Sequence, residues 1–151
     1  MKIMDEIDKK ILQILQENNR IQYHKIGKML NIGASTVHYR VRKLVKSGII
    51  KSFSAIVDPK ALGYNTTAWV GLSVDPRKMD EIAKKLASFD KVQIVTTSTG
   101  DHDILLQIIA KDEKELWRFI NENIKTMEDV EKDFHVSTFL DEYKRTHIVK
   151  V

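Results

Sequence analysis

The sequence predicts an α+β protein of two modules, in which three N-terminal helices precede a strand–helix–strand–strand–helix–strand segment. Apolar residues recur at helical spacing as far as residue 47, and from residue 68 onward alternating and helical patterns follow one another. The charge divides at about the same place. Residues 1–60 contain twelve Lys or Arg and five Asp or Glu, a balance of +7, whereas residues 61–151 contain thirteen and sixteen, a balance of −3.

The first helix is predicted to begin after Asp5, a candidate N-cap, and to run to about Asn18. Its apolar face consists of Ile7, Ile11, Ile14 and Leu15. A second, shorter helix is indicated by Tyr23, Ile26, Met29 and Leu30. The tripeptide Asn31-Ile32-Gly33 follows, and two of its residues tolerate the left-handed backbone of a tight turn.

A third helix is predicted from about Ala34 to Ser47, with Gly48 just past its end. Its apolar stripe is formed by Val37, Val41, Leu44 and Val45. The opposite face carries Ser35, Thr36, His38, Tyr39, Arg40, Arg42, Lys43 and Lys46. Such a helix suits the DNA major groove, where hydroxyl groups and His contact base edges while Arg and Lys contact guanine or phosphate.

The segment from Tyr23 to Arg42 predicts a helix-turn-helix within a winged-helix-like module of three helices, because apolar spacing, turn residues and the small Gly27 at the helix crossing agree. No acid lies between Glu17 and Asp58, an interval with eight Lys or Arg. This charge favours a polyanionic partner, chiefly nucleic acid. The alternative is a generic three-helix bundle with a basic surface.

We therefore predict that this module binds double-stranded DNA at an operator. The residues expected to contact bases are Ser35, Thr36, His38, Tyr39 and Arg40. Those expected to hold phosphates are Lys25, Arg42, Lys43 and Lys46, and Tyr23 completes the predicted DNA-binding set.

A strand and a linker are predicted between the modules. Residues 49–57 alternate in part and end at the turn signal Asp58-Pro59, and the linker continues through Gly63. The predicted organisation is a helix-turn-helix module at residues 1–50, a strand and linker at 51–63, and a second module at 64–151.

The second module is predicted to have the ferredoxin-like βαββαβ order. Strands are expected at residues 68–74, 92–99, 104–110 and 130–140, with helices after Asp75-Pro76 and at 112–124. Right-handed crossovers place both helices on one face of the sheet. The other face would expose Trp69, Val95, Leu105, Ile109 and Phe139. Because such an apolar face does not stay exposed in a monomer, we predict a homodimer, which would present two recognition helices to half-sites about 34 Å apart.

Several other classes of function lack support in the sequence. No apolar run approaches the ~20 residues of a membrane-spanning helix, and acids follow Met1 too soon for a signal-peptide core. The absence of Cys excludes disulfides and thiolate sites. There is no phosphate-binding glycine loop, nucleophile elbow or zinc-protease motif, and the five His are scattered. We expect a cytoplasmic protein with no membrane partner that is not an enzyme and holds no metal or cofactor.

Four features occur in order along the chain: the helix-turn-helix at 23–42, Gly48-Ile49-Ile50-Lys51, Asp58-Pro59 before Leu62-Gly63, and Thr99-Gly100-Asp101-His102-Asp103. Together they make essentially the whole chain resemble the leucine-responsive/asparagine-operon regulators (Lrp/AsnC, or feast/famine regulatory proteins). The resemblance implies a prokaryotic transcriptional regulator associated with the nucleoid, whose second module dimerises, often builds octamers and senses an amino acid. It implies an effector site between dimers, which maps onto Thr97, Ser98, Thr99, Gly100, Asp101 and Asp103, with Ser137 and Thr138 from the last strand.

The turn at Gly100 suits a zwitterionic amino acid. Asp101 or Asp103 would accept hydrogen bonds from its ammonium group, and backbone N–H groups near Gly100 would donate to its carboxylate. The alternative is an ordinary hairpin turn. Two positions depart from the family: Gly33 stands where Ser usually caps the recognition helix, and His102, expected to be an exposed turn residue, stands where Tyr is common.

Three competing functions remain to be compared with an operator-binding regulator. An enzyme has no candidate nucleophile in the sequence. RNA binding is disfavoured because no aromatic pair decorates a sheet face in a basic setting. An architectural protein that binds DNA with little sequence preference is the main alternative, and it differs from an operator binder in its ratio of specific to non-specific affinity.

Overall fold

The computed structural model describes residues 4–151, which divide into two compact units. The first unit contains the residues up to Ile56 together with the C-terminal segment Lys144–Val151. The second unit contains Val57–Tyr143. Our sequence prediction placed residues 144–151 in the second module, whereas their contacts group them with the first.

The first helix, α1 (Glu6–Glu17), begins at a reciprocal cap. The Asp8 N–H donates to Asp5 Oδ1 over 2.8 Å, and the Asp5 N–H donates to Asp8 Oδ2 over 3.5 Å. Each carboxylate thereby satisfies an amide that the first turn of a helix leaves without a partner. The predicted N-cap at Asp5 is confirmed.

The turn between α2 (Tyr23–Leu30) and α3 (Ala34–Lys46) depends on two residues. Asn31 adopts the left-handed conformation, with φ 53° and ψ 46°. A Cβ added to Gly27 would lie 2.6 Å from the carbonyl oxygen of Ile32, which is too close for a side chain. The predicted close approach at Gly27 is confirmed, and its partner is the backbone of the turn itself.

The three helices share one apolar core. Ile11, Ile26 and Val37 are fully buried within it, and each such side chain contributes about 1.5–3 kcal/mol through its removal from water. Val45, which we predicted to share the apolar stripe of α3, is instead 45% exposed. It follows Leu44 and is therefore rotated about 100° from it around the helix axis.

Residues 51–57 do not form the predicted strand within this chain. A strand needs a neighbouring strand to pair with its N–H and C=O groups, and no ladder in the described part of the chain includes this segment. The apolar side chains of this segment, Phe53, Ile56 and Val57, are exposed. The segment is thus extended backbone whose hydrogen-bonding groups have no strand beside them.

The second unit is an antiparallel four-stranded sheet with two helices. In chain order it contains β1 (Thr66–Leu72), α4 (Met79–Ala87), β2 (Val92–Thr97), β3 (Ile104–Ala110), α5 (Glu113–Phe119) and β4 (His135–Thr138). The strands lie in the order β2-β3-β1-β4. Both central strands thus have neighbours on each side, and the predicted βαββαβ arrangement is confirmed.

Several boundaries differ from the prediction. β1 spans Thr66–Leu72 rather than 68–74, β2 ends at Thr97 rather than 99, and the first helix of this unit begins at Met79 rather than directly after Asp75-Pro76. The second helix reaches the predicted residue 124 through a π-helical turn, Ile120–Ile124. The last strand is shorter than the predicted 130–140. Val130 forms only an isolated bridge with Val74, and the ladder with β1 begins at His135.

One face of the sheet packs against the helices, and its central residues Val70, Leu106 and Ile108 are fully buried. We call the opposite face the open face. The register of β2 with β3 shifts between Val92 and Ile94, which is a β-bulge that breaks the two-residue alternation. Val95 therefore packs against the helix side of the sheet, so its predicted place on the open face was wrong. Ile94, 41% exposed, lies there instead.

Among residues 4–151, no helix combines the length and apolar content needed to cross a bilayer.

Candidate functional site

The surface of α3 presents most of the predicted DNA-binding residues to solvent. Its buried positions Val37, Val41 and Leu44 face the core of the first unit, so the opposite side of the helix is free. The residues exposed on that side are Ser35, Thr36, His38, Tyr39, Arg42, Lys43 and Lys46. Tyr39 is the largest of these and is 68% exposed. We refer to this set as the α3 surface.

Two residues of the predicted DNA-binding set belong to α2. Lys25 is exposed, and Tyr23 is half-buried with its ring edge-to-face against His38, the ring centroids being 5.7 Å apart. An aromatic contact of this geometry limits the orientations open to the His38 ring. Tyr23 is therefore better placed to orient His38 than to reach DNA itself.

The N-terminus of α3 lacks a side-chain cap. Gly33 is its N-cap residue and has no side chain that could accept a hydrogen bond. The first N–H groups of α3 therefore have no side-chain cap there. A shallow depression beside it is lined in part by His24, Lys28 and Asn31. His24 and Lys28 are not in the predicted DNA-binding set, although Lys28 is one of the eight basic residues of the acid-free interval.

Arg40 does not belong to the α3 surface, contrary to our expectation that it contacts bases. Its Nη1 donates to Asp5 Oδ2 over 2.6 Å and to Asp8 Oδ1 over 2.9 Å, and its side chain is only 22% exposed. The pKa of Asp5 is lowered, first by the hydrogen bond from the Asp8 N–H and then by the one from Arg40. Both carboxylates hold the pKa of the Arg40 guanidinium above its ordinary value. Arg40 thus fastens α3 to the start of α1.

The predicted effector turn, residues 98–103, is tied to the end of β1 through Asp103. Its N–H donates to the Leu72 carbonyl, and its Oδ2 accepts a hydrogen bond from the Val74 N–H, both over 2.9 Å. Its carbonyl oxygen accepts from the Ser98 N–H, also over 2.9 Å. Asp103 is therefore a structural member of the turn, and it has less capacity left for a ligand than we expected.

Asp101 is the better candidate carboxylate for a ligand. It is exposed, and no hydrogen bond or ion pair of its side chain is found among residues 4–151. Thr97, Thr99 and Gly100 are exposed beside it, and the Gly100 N–H donates to Ser98 Oγ over 3.1 Å. This arrangement offers an acceptor and hydroxyl groups within one turn.

Ser137 and Thr138 lie away from this turn within one chain. They pair with Trp69 and Ala68, whereas the turn is fixed at Leu72, three and four residues further along β1. At about 3.3 Å per residue, that separation is roughly 10–13 Å. The predicted grouping of these two residues with the turn is therefore not seen in a single copy of the chain.

His135 is the residue of β4 that approaches the turn. It pairs with Gly71, and its ring centroid lies 4.9 Å from that of His102. The His102 ring lies directly over Gly71, where any Cβ would collide with it. His102 is partly buried, and its Nδ1 is buried without a hydrogen-bond partner, so the expectation of an exposed turn residue was wrong. Nothing in the sequence pattern places His135 there, because its neighbour is set by strand register.

The open face carries apolar side chains that this chain leaves partly uncovered. Trp69 is 36% exposed and lies against Phe139, with ring centroids 6.4 Å apart, and Leu105 is half-buried. Ile109, which we also predicted on this face, is only 8% exposed and is already covered within the chain. No group of three or more His, Asp or Glu in the described ranges is arranged to hold a metal ion.

Two family models match the chain. A model described as winged helix-turn-helix DNA-binding covers residues 4–51, and one described as the Lrp/AsnC ligand binding domain covers residues 67–149. The first match covers the helical module, and the second covers most of the second unit and continues into the C-terminal segment up to residue 149.

Curated relatives are similar over most of the chain. The HTH-type transcriptional regulator FL11 of Pyrococcus furiosus is 38% identical over 144 residues, which are 95% of this chain and 94% of that protein. The HTH-type transcriptional regulator Ptr1 of Methanocaldococcus jannaschii is 38% identical over 128 residues, covering 85% and 86% of the two chains.

Solved structures agree over nearly the whole length. AsnC of E. coli superposes with a TM-score of 0.90 at 25% identity and covers 97% of this chain and 98% of its own. A transcriptional regulator of Neisseria meningitidis in complex with L-Met gives a TM-score of 0.87 at 25% identity, covering 96% and 95%.

Proposed function

The chain belongs to the Lrp/AsnC family of transcriptional regulators, with a DNA-binding helix-turn-helix and an Lrp/AsnC ligand-binding domain. From that premise we propose that it is a dimeric, sequence-specific regulator whose DNA binding responds to an amino acid. Its relatives are regulators rather than enzymes. We further propose that it acts in the cytoplasm of a prokaryotic cell, on the DNA of the nucleoid.

The α3 surface is the observation that carries the DNA-binding part of the proposal. It combines hydroxyl groups and rings, which suit base edges, with cations that suit phosphates. We assign base contacts to Ser35, Thr36, His38 and Tyr39. We assign phosphate contacts to Lys25, Lys28, Arg42, Lys43 and Lys46. Arg40 is left out because its guanidinium is engaged by Asp5 and Asp8.

A dimer is supported by two sets of uncovered apolar side chains. The first is the open face, with Trp69, Ile94, Leu105 and Phe139. The second is the extended segment at residues 51–57, whose Phe53 and Ile56 face water and whose backbone lacks a neighbouring strand. A second copy of the chain would cover both, and a two-fold dimer would present its α3 helices to half-sites about 34 Å apart.

An amino-acid effector is supported by the chemistry of the turn at residues 98–103. Asp101 offers a free acceptor for an ammonium group, and the exposed Thr97 and Thr99 nearby carry hydroxyl groups that can donate to a carboxylate. The similar Neisseria regulator was solved in complex with L-Met. Because Ser137 and Thr138 lie apart from this turn in one chain, we propose that they join the site from a neighbouring copy in a larger assembly, such as an octamer.

The decisive test is a titration of the protein against the DNA upstream of its own gene and against a shuffled duplex, near physiological salt, with and without a mixture of amino acids. The proposal expects tighter binding to the upstream DNA by a factor within about 10³–10⁷, and a change in that affinity when the mixture is added. Equal binding to both duplexes and to selected genomic fragments would instead favour an architectural protein. A preference that the mixture leaves unchanged would overturn the effector part alone.

A further inference from the structure

The side chain of Gln16 holds the backbone of Val149 through two hydrogen bonds. Gln16 Nε2 donates to the Val149 carbonyl oxygen over 2.9 Å, and the Val149 N–H donates to Gln16 Oε1 over 2.7 Å. One side-chain amide thereby satisfies both polar backbone groups of a residue 133 positions away, as a neighbouring strand would. We call this pair of hydrogen bonds the Gln16 clasp.

The clasp attaches the C-terminal segment to the helical unit, although the residues that precede this segment in the sequence belong to the second unit. Residues Lys144–Val151 group with the helical unit, although the ligand-binding family model extends along the sequence to residue 149. The polypeptide therefore passes between the two units twice, once between Ile56 and Val57 and once between Tyr143 and Lys144.

The segment before the first crossing and the segment after the second are both hydrogen-bonded near the C-terminal end of α1. Asn19, just beyond the helix, donates from Nδ2 to the Ser54 carbonyl oxygen over 3.3 Å, and Gln16 holds Val149 one turn earlier. The C-terminal segment has little apolar anchorage of its own, because Ile148 is 57% exposed and Val149 70% exposed. The two hydrogen bonds of the clasp therefore anchor this segment to α1 at Val149.

We propose that Gln16 is a positioning residue that makes the C-terminal segment a second tether between the DNA-binding unit and the ligand-binding unit. A unit held by one flexible connection samples many orientations, whereas a second attachment restricts them. In a dimer that must engage two half-sites together, such restriction raises the effective concentration of the second recognition helix. This inference rests on the proposed DNA-binding function only for its consequence on affinity.

The test compares Gln16→Ala with Gln13→Ala, a matched control one turn earlier on the exposed side of α1. Hydrogen exchange at the Val149 amide should accelerate at least tenfold in Gln16→Ala, since the Gln16 Oε1 acceptor of this N–H is removed, and remain as in the wild type in Gln13→Ala. Unchanged exchange in Gln16→Ala would overturn the clasp.

The range of relative orientations that the two units sample is measured with spin labels. The chain has no Cys, so Lys10→Cys and Lys114→Cys, both exposed, give one label on each unit, diluted with unlabelled protein to isolate distances within a chain. The distance distribution should broaden in Gln16→Ala and in a chain truncated after Tyr143, but not in Gln13→Ala. Equal widths in all of them would overturn the tether.

The consequence for function is measured on the upstream DNA. Gln16→Ala should lose about tenfold in affinity for a duplex with two half-sites and nothing for a single half-site. Equal affinities of Gln16→Ala and wild type for the two-site duplex would overturn the positioning role. If the wild type itself shows no preference over shuffled DNA, the proposed function fails, whereas the exchange and spin-label results still decide the clasp and the tether.

Discussion

Arg40 and Asp8 join the recognition helix to the first helix: Arg40 Nη1 lies 2.9 Å from Asp8 Oδ1, and the Asp8 side chain is only 4% exposed. The same Asp8 caps α1 with Asp5, so one carboxylate serves both the start of α1 and the attachment of α3. A cation that we predicted to contact DNA bases thus instead attaches α3 to α1.

Replacing Arg40 by Ala should lower the free energy of unfolding by about 2 kcal/mol. Removal of one partner from a fully buried ion pair costs about 3–5 kcal/mol, and the partial exposure of Arg40 reduces this cost. Urea unfolding of the variant would measure it. Arg42→Ala on the exposed side should change stability by less than about 0.5 kcal/mol while weakening DNA binding. Equal stability of the two variants would show that the Arg40 ion pairs contribute nothing.

Acid should destabilise the helical unit through Asp5. Its pKa in the folded chain lies below the ordinary 3.8, because the Asp8 N–H and then the Arg40 guanidinium donate hydrogen bonds to it. The unfolded chain then takes up this proton at a higher pH than the folded one, so the stabilisation is complete above the ordinary pKa and is lost as the pH falls through the folded pKa. Asp5→Asn keeps an N-cap but should flatten the acid side of a plot of Tm against pH. Glu17→Gln at the other end of α1 is the control, and an equal effect of both would refute the assignment to Asp5.

Thr36→Ala and Lys46→Ala should separate base contact from phosphate contact on the α3 surface. Loss of Thr36 should cost about 1–3 kcal/mol on the preferred DNA and little on shuffled DNA. Loss of Lys46 should weaken both by the same factor and reduce the slope of log affinity against log salt by about 1. Fluorescence anisotropy at several salt concentrations measures both. The assignments would be wrong if Thr36→Ala weakened the two DNAs equally, or if Lys46→Ala left the slope unchanged.

Ile94→Glu and Val95→Glu should have different effects although the residues are adjacent. Ile94 lies on the open face, so a charge there should block dimer formation and leave a folded monomer. Val95 packs against the core, so a charge there should unfold the second unit. Sedimentation velocity and circular dichroism distinguish these outcomes. A stable dimer of Ile94→Glu would contradict the proposed use of the open face.

The helical unit is largely predictable because its determinants are local. The Asp5 side chain accepts a hydrogen bond from the N–H three residues later, and Asn31 and Gly27 permit the tight turn between α2 and α3. The apolar stripes of α1 to α3 follow a 3.6-residue period. The βαββαβ order is predictable for the same reason. The faces of β2 are not, because a bulge at residue 93 adds one residue to the alternation and exchanges the places of Ile94 and Val95.

The roles of Arg40, His102 and Ser137 depend on partners that no local pattern reveals. Arg40 is 32 residues from Asp8. The spacing of residues within α3 does not show that its guanidinium pairs with carboxylates of α1 rather than facing solvent. His102 fits only because a glycine, Gly71, stands on the adjacent strand. Ser137 is separated from the turn at Gly100 by the register of β4 on β1. Long-range pairing of this kind is set by packing rather than by spacing.

The return of residues Lys144–Val151 to the helical unit makes the ligand-binding unit an insertion within the DNA-binding one. During synthesis, the three helices leave the ribosome before the inserted unit, but the segment that completes their contacts follows it. The DNA-binding unit therefore reaches its full set of contacts only after the inserted unit has been made. A DNA-binding unit with all of its contacts in place is therefore always joined to a completed ligand-binding unit.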